Sequence, residues 1–265
     1  MKLIPRSIFL LSIGTVSIFS ILLIPSFSTV YAQESSDSGY TQGIRYLIEH
    51  GMFQIQKIDP LMKSSSDMPA KNCAQRTFPI VNWSNCNFSG ANLNHYNLHS
   101  ANLSNINLDH ANINKAYFYR TNLVGANLQN AQMINTQLAS ANLSWANLSY
   151  AKGQFVNLNG AILVGANLTG ANLKNGAFMA ADFTNAKLAG VNLSYTDMTY
   201  ADFTGADLSG ADLSEALLKG GSLRNANLWH ANLHDADIKG VDLTGANLHC
   251  TGNPVCIQNV VTNHN

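Results

Sequence analysis

The sequence predicts a repeat solenoid, preceded by an export signal and a short amphipathic helix. Three observations carry the solenoid. A large apolar residue recurs at every fifth position, as in Leu218, Leu223, Leu228 and Leu233. A small residue stands two places before it, and the position between is usually Asn or Asp. An ideal α-helix turns about 500° in five residues, so a five-residue stripe walks around every face of it. A flat strand sends successive leucines to opposite sides, although the small residue two places earlier shares its leucine's side. The pattern is satisfied when the chain bends inward once per unit. Each small and large apolar residue then points at one axis, and the other three positions meet water.

Of the 32 central positions from Leu93 to Leu248, 23 are Leu and eight are Ile113, Phe118, Met133, Phe178, Phe183, Met198, Phe203 and Ile238. Gly153 alone departs, while 22 of the 32 small slots are Ala. Phe88, Trp83 and Phe78 keep the phase upstream, with Cys86 and Val81 in the small slot. The reading places Leu168, Leu173, Phe178, Phe183, Leu188, Phe203, Leu208 and Leu213 in the axial core.

These units resemble the pentapeptide-repeat family, whose consensus A-(D/N)-L-x-x stands here as Ala166 to Gly170 and Ala206 to Gly210. The resemblance spans roughly residues 78–250 and implies an all-β fold, a right-handed quadrilateral parallel β-helix with four units per coil. Residues i and i+20 are then vertical neighbours. Phe183 would stack under Phe203, and Gly153 would be filled from above and below by Leu173 and Met133. Gly176 and Gly221 would be compensated by Val156 and Val241.

The flanks divide the rest of the chain. Residues 1–32 read as a signal peptide: Lys2 and Arg6 open it, Ser7 to Ile24 is apolar, and Val30 and Ala32 mark cleavage after Ala32. An uncleaved membrane anchor is the alternative, since 18 apolar-leaning residues nearly span a bilayer. Residues 33–77 hold a helix over Tyr40 to Asp59, with Ile44, Leu47, Ile48, Ile55 and Ile58 near helical spacing, then a linker. That helix reads as a cap on the first coil or as a partner-binding or dimerising element. Residues 251–265 are a tail. Cys73, Cys86, Cys250 and Cys256 are an even set in an exported chain, so disulfides are expected, with nearest neighbours paired at each end. A zinc site is the weaker reading, because no C-x-x-C pair is present.

Charge excludes one class of partner. Fifteen Lys plus Arg balance fifteen Asp plus Glu, so no bulk field draws in nucleic acid. Some members of the family mimic a DNA duplex and protect gyrase from quinolones. Residues 83–265 carry ten acids and eight bases, 10 − 8 for a net charge of −2, which is far from duplex-like. The sharper feature is an acidic shift, in which Asp182, Asp197, Asp202, Asp207 and Asp212 replace Asn in the slot before the central residue. It suggests an anionic surface able to hold a cation or other ligand, or a solvated surface using Asp for Asn.

No catalytic residue, cofactor or metal ligand is assigned. A rod with Ala and Leu inside offers no cleft, and no Ser, His and acid converge in a recognisable arrangement. His95, His99, His110, His230, His234 and His249 fall on outward positions; His230 comes beside Cys250, whose disulfide would forbid ligation. Motifs such as Asn82-Trp-Ser and Asn102-Leu-Ser follow automatically from the repeat. The expected protein is a secreted, periplasmic or envelope rod, a monomer or weak homodimer. It acts as a rigid scaffold that binds another protein or an envelope component through its outward faces.

Overall fold

The structure, a computed structural model, describes Cys73 and residues 81–257. The expected signal peptide, the alternative membrane anchor and the helix over residues 40–59 lie outside the described residues. Among the described residues no helix is long and apolar enough to cross a membrane.

From Asn82 to Asn247 the residue before each central apolar one pairs in parallel with the residue twenty positions later. The chain therefore winds with four five-residue units per coil. Face 1 carries the slot residues Asn82, Asn102 and onward to Asp242, face 2 runs from Asn87 to Asn247, face 3 from Asn92 to Asn232, and face 4 from Asn97 to Asp237. Residues 81–250 make 170/20, or 8.5, coils. At a strand spacing of about 4.8 Å the rod is about 40 Å long.

Ala166 to Gly170 shows why the repeat has its composition, because all five backbone N–H groups of that unit are satisfied. Asn167 N donates down to Ala146 O at 2.9 Å, Leu168 N up to Lys187 O at 2.7 Å, and Gly170 N up to Ala189 O at 2.9 Å. Ala166 N closes the preceding turn onto Leu163 O at 3.0 Å. The fifth group, Thr169 N inside the next turn, has no backbone acceptor and donates instead to Asn167 Oδ1 at 3.1 Å. The Asn or Asp before each leucine is thus the side-chain cap of its own turn. In two units whose slot lacks one, an Asn of the coil below substitutes: Asn114 Oδ1 accepts from Ile134 N at 2.7 Å above Gln132, and Asn159 Oδ1 accepts from Met179 N at 2.8 Å above Ala177.

The turn also fixes the last residue of each unit. Every fifth residue from Asn85 to Gly245 has φ between 53° and 73°. Left-handed backbone at the second central position, closed by an i to i+3 bond, is the type II pattern, and Gly or Asn tolerates it best.

The axis is dry. All eight of the predicted core residues from Leu168 to Leu213 are fully buried. Thr121, Thr136 and Thr196 replace Ala there without leaving an orphaned hydroxyl, because each donates to a backbone carbonyl, those of Leu98, Ile113 and Leu193 respectively. Phe203 stacks on Phe183 with centroids 4.7 Å apart and 3° between planes. Gly153 is filled as expected, since a Cβ there would stand 2.8 Å from Leu173 Cδ2 and 3.0 Å from Met133 Cγ. Two glycines correct the reading. The space at Gly176 is taken by the ring of Phe178, 2.5 Å from a would-be Cβ, and not by Val156. At Gly221 the close atom is the backbone oxygen of Ala201 at 2.5 Å, and not Val241.

Each end carries a disulfide. Cys73 bonds to Cys86 in the first coil, and Cys250 to Cys256 after the last. Trp83 and Phe88 put two rings, tilted by 34° with centroids 4.6 Å apart, into the first coil. At the other end Asn232 pairs with Thr251, one residue short of the twenty-residue register, and the chain turns into helix α1, Pro254–Ile257.

Candidate functional site

The outward surface has two chemistries, set by which residue fills each slot. On face 2 the asparagines form a ladder. Asn107 Nδ2 donates to Asn87 Oδ1 at 2.9 Å, Asn127 to Asn107 at 3.2 Å, Asn147 to Asn127 at 3.4 Å and Asn167 to Asn147 at 3.3 Å. The inner carboxamides, those of Asn107, Asn127 and Asn147, each receive from one coil, donate to the other and cap a turn, so little of them is free for a ligand.

The predicted acidic residues do not share a face. Asp182 and Asp202 pair on face 1, Asp197 lies on face 4, Asp207 on face 2 and Asp212 on face 3. Each spends Oδ1 on its own turn, accepting from Thr184 N, Thr199 N, Thr204 N, Ser209 N and Ser214 N at 2.9 to 3.1 Å. Asp supplies the same turn cap as Asn, which is the physical reason it can replace Asn without building a site. Among the described residues no three His, Cys, Asp or Glu side chains gather around a common point.

The histidines are used locally. His110 Nδ1 meets Asp109 at 2.8 Å, His234 meets Asp235 at 3.0 Å, and His99 stacks on Tyr119 with centroids 5.3 Å apart. The Tyr195 hydroxyl donates to Glu215 at 3.2 Å, and this bond to a carboxylate raises the phenol above its ordinary 10.0. Lys174 Nζ sits 4.8 Å over the same ring. Asp242 is held down to about 2 by the hydroxyl and backbone N–H of Thr244 and by Arg224, whose guanidinium lies 3.1 Å away.

Face 4 differs from the rest, and sequence reading missed it. Tyr117 and Leu217 occupy its Asn slot, Tyr119 and Met179 its turns, and Tyr200 the corner beyond, all exposed. The missing signal was in the departures from consensus. Large apolar side chains in outward positions gain nothing from the core, and five of the eleven exposed among the described residues lie on face 4. A second set fills successive left-handed corners of one coil, Trp145, Tyr150 and Phe155.

The family model for pentapeptide repeats matches residues 81–105, 101–138, 136–175, 178–214 and 211–249, in eight copies. The chain belongs to the pentapeptide-repeat family. No curated sequence matches it. Among solved structures this pentapeptide-repeat protein is similar to HetL of the cyanobacterium Nostoc sp. Strain PCC 7120, which is involved in heterocyst differentiation regulation. The two share 27% identity over 68% of this chain and 94% of that one, with a TM-score of 0.32. It is similar to Rfr23 of the cyanobacterium Cyanothece 51142 at 27% identity, over 46% of this chain and 88% of that one, with a TM-score of 0.25. It is also similar to QnrB1, a plasmid-mediated fluoroquinolone resistance protein, at 17% identity over 68% and 97% with a TM-score of 0.36. Pentapeptide-repeat proteins are generally non-enzymatic structural or binding proteins that mediate protein interactions. Their coils are right-handed quadrilateral β-helices, the hand that a twisted strand favours when it returns parallel to itself.

Proposed function

We propose that this is an exported, non-enzymatic rod, monomeric or weakly dimeric, that holds another protein of the cell envelope against face 4. The observation that carries the reading is that five of the eleven large apolar side chains exposed among the described residues, Tyr117, Tyr119, Met179, Tyr200 and Leu217, lie on this one of the four faces. Exposed aromatic and Met side chains cluster where a partner desolvates them. Export is supported by the basic-then-apolar start of the sequence and by two disulfides, which persist in oxidising compartments. Rigidity suits the role, since every coil is bonded to its neighbours through backbone groups on all four faces.

The test is site-directed photo-crosslinking in the native host, with the reactive side chain at residue 119 or 217 on face 4 and at 147 or 187 on face 2. A discrete protein adduct from face 4 alone supports the reading. Equal adducts from both faces, or none, overturn it. Fractionation of the same cells checks the address: the chain should leave the cytoplasm, shortened by residues 1–32. Recovery of an uncut chain in the cytoplasm would remove export and reopen the DNA-mimic reading.

A further inference from the structure

Face 3 of the coil over residues 141–160 carries two aromatic rings that the fold itself does not call for. Tyr150 stands at the corner entering that face and Phe155 at the corner leaving it, with φ of 58° and 59°, and they are 56% and 54% exposed. Bulky side chains are rare in left-handed backbone, and the neighbouring coils show what the position prefers: Asn130 below Tyr150, and Asn135 and Asn175 on either side of Phe155. Neither ring contributes to the axis. Strain kept at an exposed position points to a role outside folding.

The surroundings say what the rings meet. Tyr150 is laid against the next coil, because Gly170 directly above it has no side chain; a Cβ there would stand 2.6 Å from Tyr150 Cε1. The glycine therefore leaves the ring room to lie against the next coil, where any larger residue would displace it. A shallow groove of ≈ 470 Å³ runs from this ring across face 3, lined by Asn130, Tyr150, Lys152, Gln154, Gly170 and Asn172. Gln154 Oε1 is buried there without a hydrogen-bond donor. A groove with Tyr150 at one end, carboxamides and one cation along it, and the exposed Phe155 ring at the corner outside its lining is too broken for a protein's contiguous apolar core. It fits a chain of linked sugar rings. The C–H face of a pyranose stacks on the negative face of an aromatic ring, and the hydroxyls at its rim both donate to and accept from carboxamides.

We propose that face 3 of residues 141–160 binds a neutral polysaccharide, with Tyr150 and Phe155 as stacking platforms and Asn130, Gln154 and Asn172 as hydrogen-bonding partners to its hydroxyls. The proposal rests on the reading of the protein as an exported binding rod and names a second ligand for it, on a different face.

Affinity electrophoresis of the purified, disulfide-bonded protein tests it, with hydroxyethyl cellulose in the gel as a neutral glucan and polygalacturonate as an anionic control. Migration should be retarded by the neutral glucan. The double variant Tyr150→Asn, Phe155→Asn should bind about tenfold more weakly or worse. It should melt no lower than the parent, since Asn suits both corners. Trp145→Asn and Tyr117→Asn, on other parts of the surface, should bind as the parent does. No retardation, retardation by polygalacturonate alone, or equal retardation of parent and double variant would overturn the proposal. Loss of the face 4 crosslink in the double variant would reassign the two rings to the protein interface and overturn it as well. Failure in the gel with the face 4 crosslink intact removes this inference and leaves the rod reading standing.

Discussion

Phe183 and Phe203 are twenty residues apart in sequence and in van der Waals contact in space, ring on ring with 3° between their planes. The stack joins two coils through the axis, where no water can replace a lost ring. Phe203→Ala should therefore cost about 3 to 5 kcal/mol, measured by urea unfolding, and Phe203→Leu under about 1.5 kcal/mol. Leu168→Asp places an unpaired charge in the same dry axis and should abolish the cooperative transition.

Asn167 tests the outward slot. A slot that merely faced water would tolerate Ala almost freely. Here Asn167 Oδ1 accepts from Thr169 N and from Thr169 Oγ1, at 3.1 Å and 2.7 Å, while its Nδ2 donates to Asn147 at 3.3 Å. Asn167→Ala should cost about 1 to 2 kcal/mol, since each net hydrogen bond is worth about 0.5 to 1.5 kcal/mol and the site is half-buried. Asn167→Asp keeps the turn cap and loses only the rung, so it should lie between parent and Ala by chemical denaturation.

That comparison marks where the sequence could be read and where it could not. The inward half of each unit was legible because burial is decided by size and polarity, so a leucine every fifth residue leaves few geometries. The twenty-residue register came from likeness to a family, and the parallel pairs from Asn82 to Asn247 follow it. The outward half was hidden. Whether Asp182 and Asp207 share a face depends on the coil count, and what their oxygens do depends on a turn N–H that composition does not display. The same limit hid Tyr117 and Leu217. Their slots are a hundred residues apart in sequence and on one face only after five coils are wound.

Acid should weaken the last coil in a defined window. Asp242 has its carboxyl lowered to about 2 from 3.8 by Thr244 and Arg224. A carboxylate with a depressed folded value contributes stability that is complete above 3.8 and lost as pH falls through about 2. Asp242→Asn should therefore flatten the pH dependence of melting between those limits and lower the melting temperature at neutral pH, where the carboxylate's bonds to Thr244 and Arg224 are fully made. Thr244→Ala and Arg224→Gln should each raise the Asp242 titration, as read by carboxyl NMR.

Gly221 separates consensus from fit. Its slot is Ala in most units, so a pattern-based design would restore Ala. A Cβ at Gly221 meets the Ala201 carbonyl oxygen at 2.5 Å and the Leu218 oxygen at 3.2 Å, both backbone. Neither can move without parting two coils that are tied by Ser222 N to Ala201 O at 3.0 Å. Gly221→Ala should destabilise by about 1 to 3 kcal/mol through overpacking, despite its match to the repeat. Gly165→Ala is the control. There the obstacle is the far end of the Trp145 ring, with Cζ3 at 2.3 Å from the added carbon, and a ring can swing away. That variant should lose about 1 to 2 kcal/mol from the left-handed backbone and shift the Trp145 emission. Replacing Trp145 by Asn beforehand should remove the spectral change and leave the backbone cost. For Gly221 no single side-chain deletion relieves the clash, so rescue of Gly221→Ala by trimming a neighbouring side chain would show that the coils separate more easily than their hydrogen bonds imply.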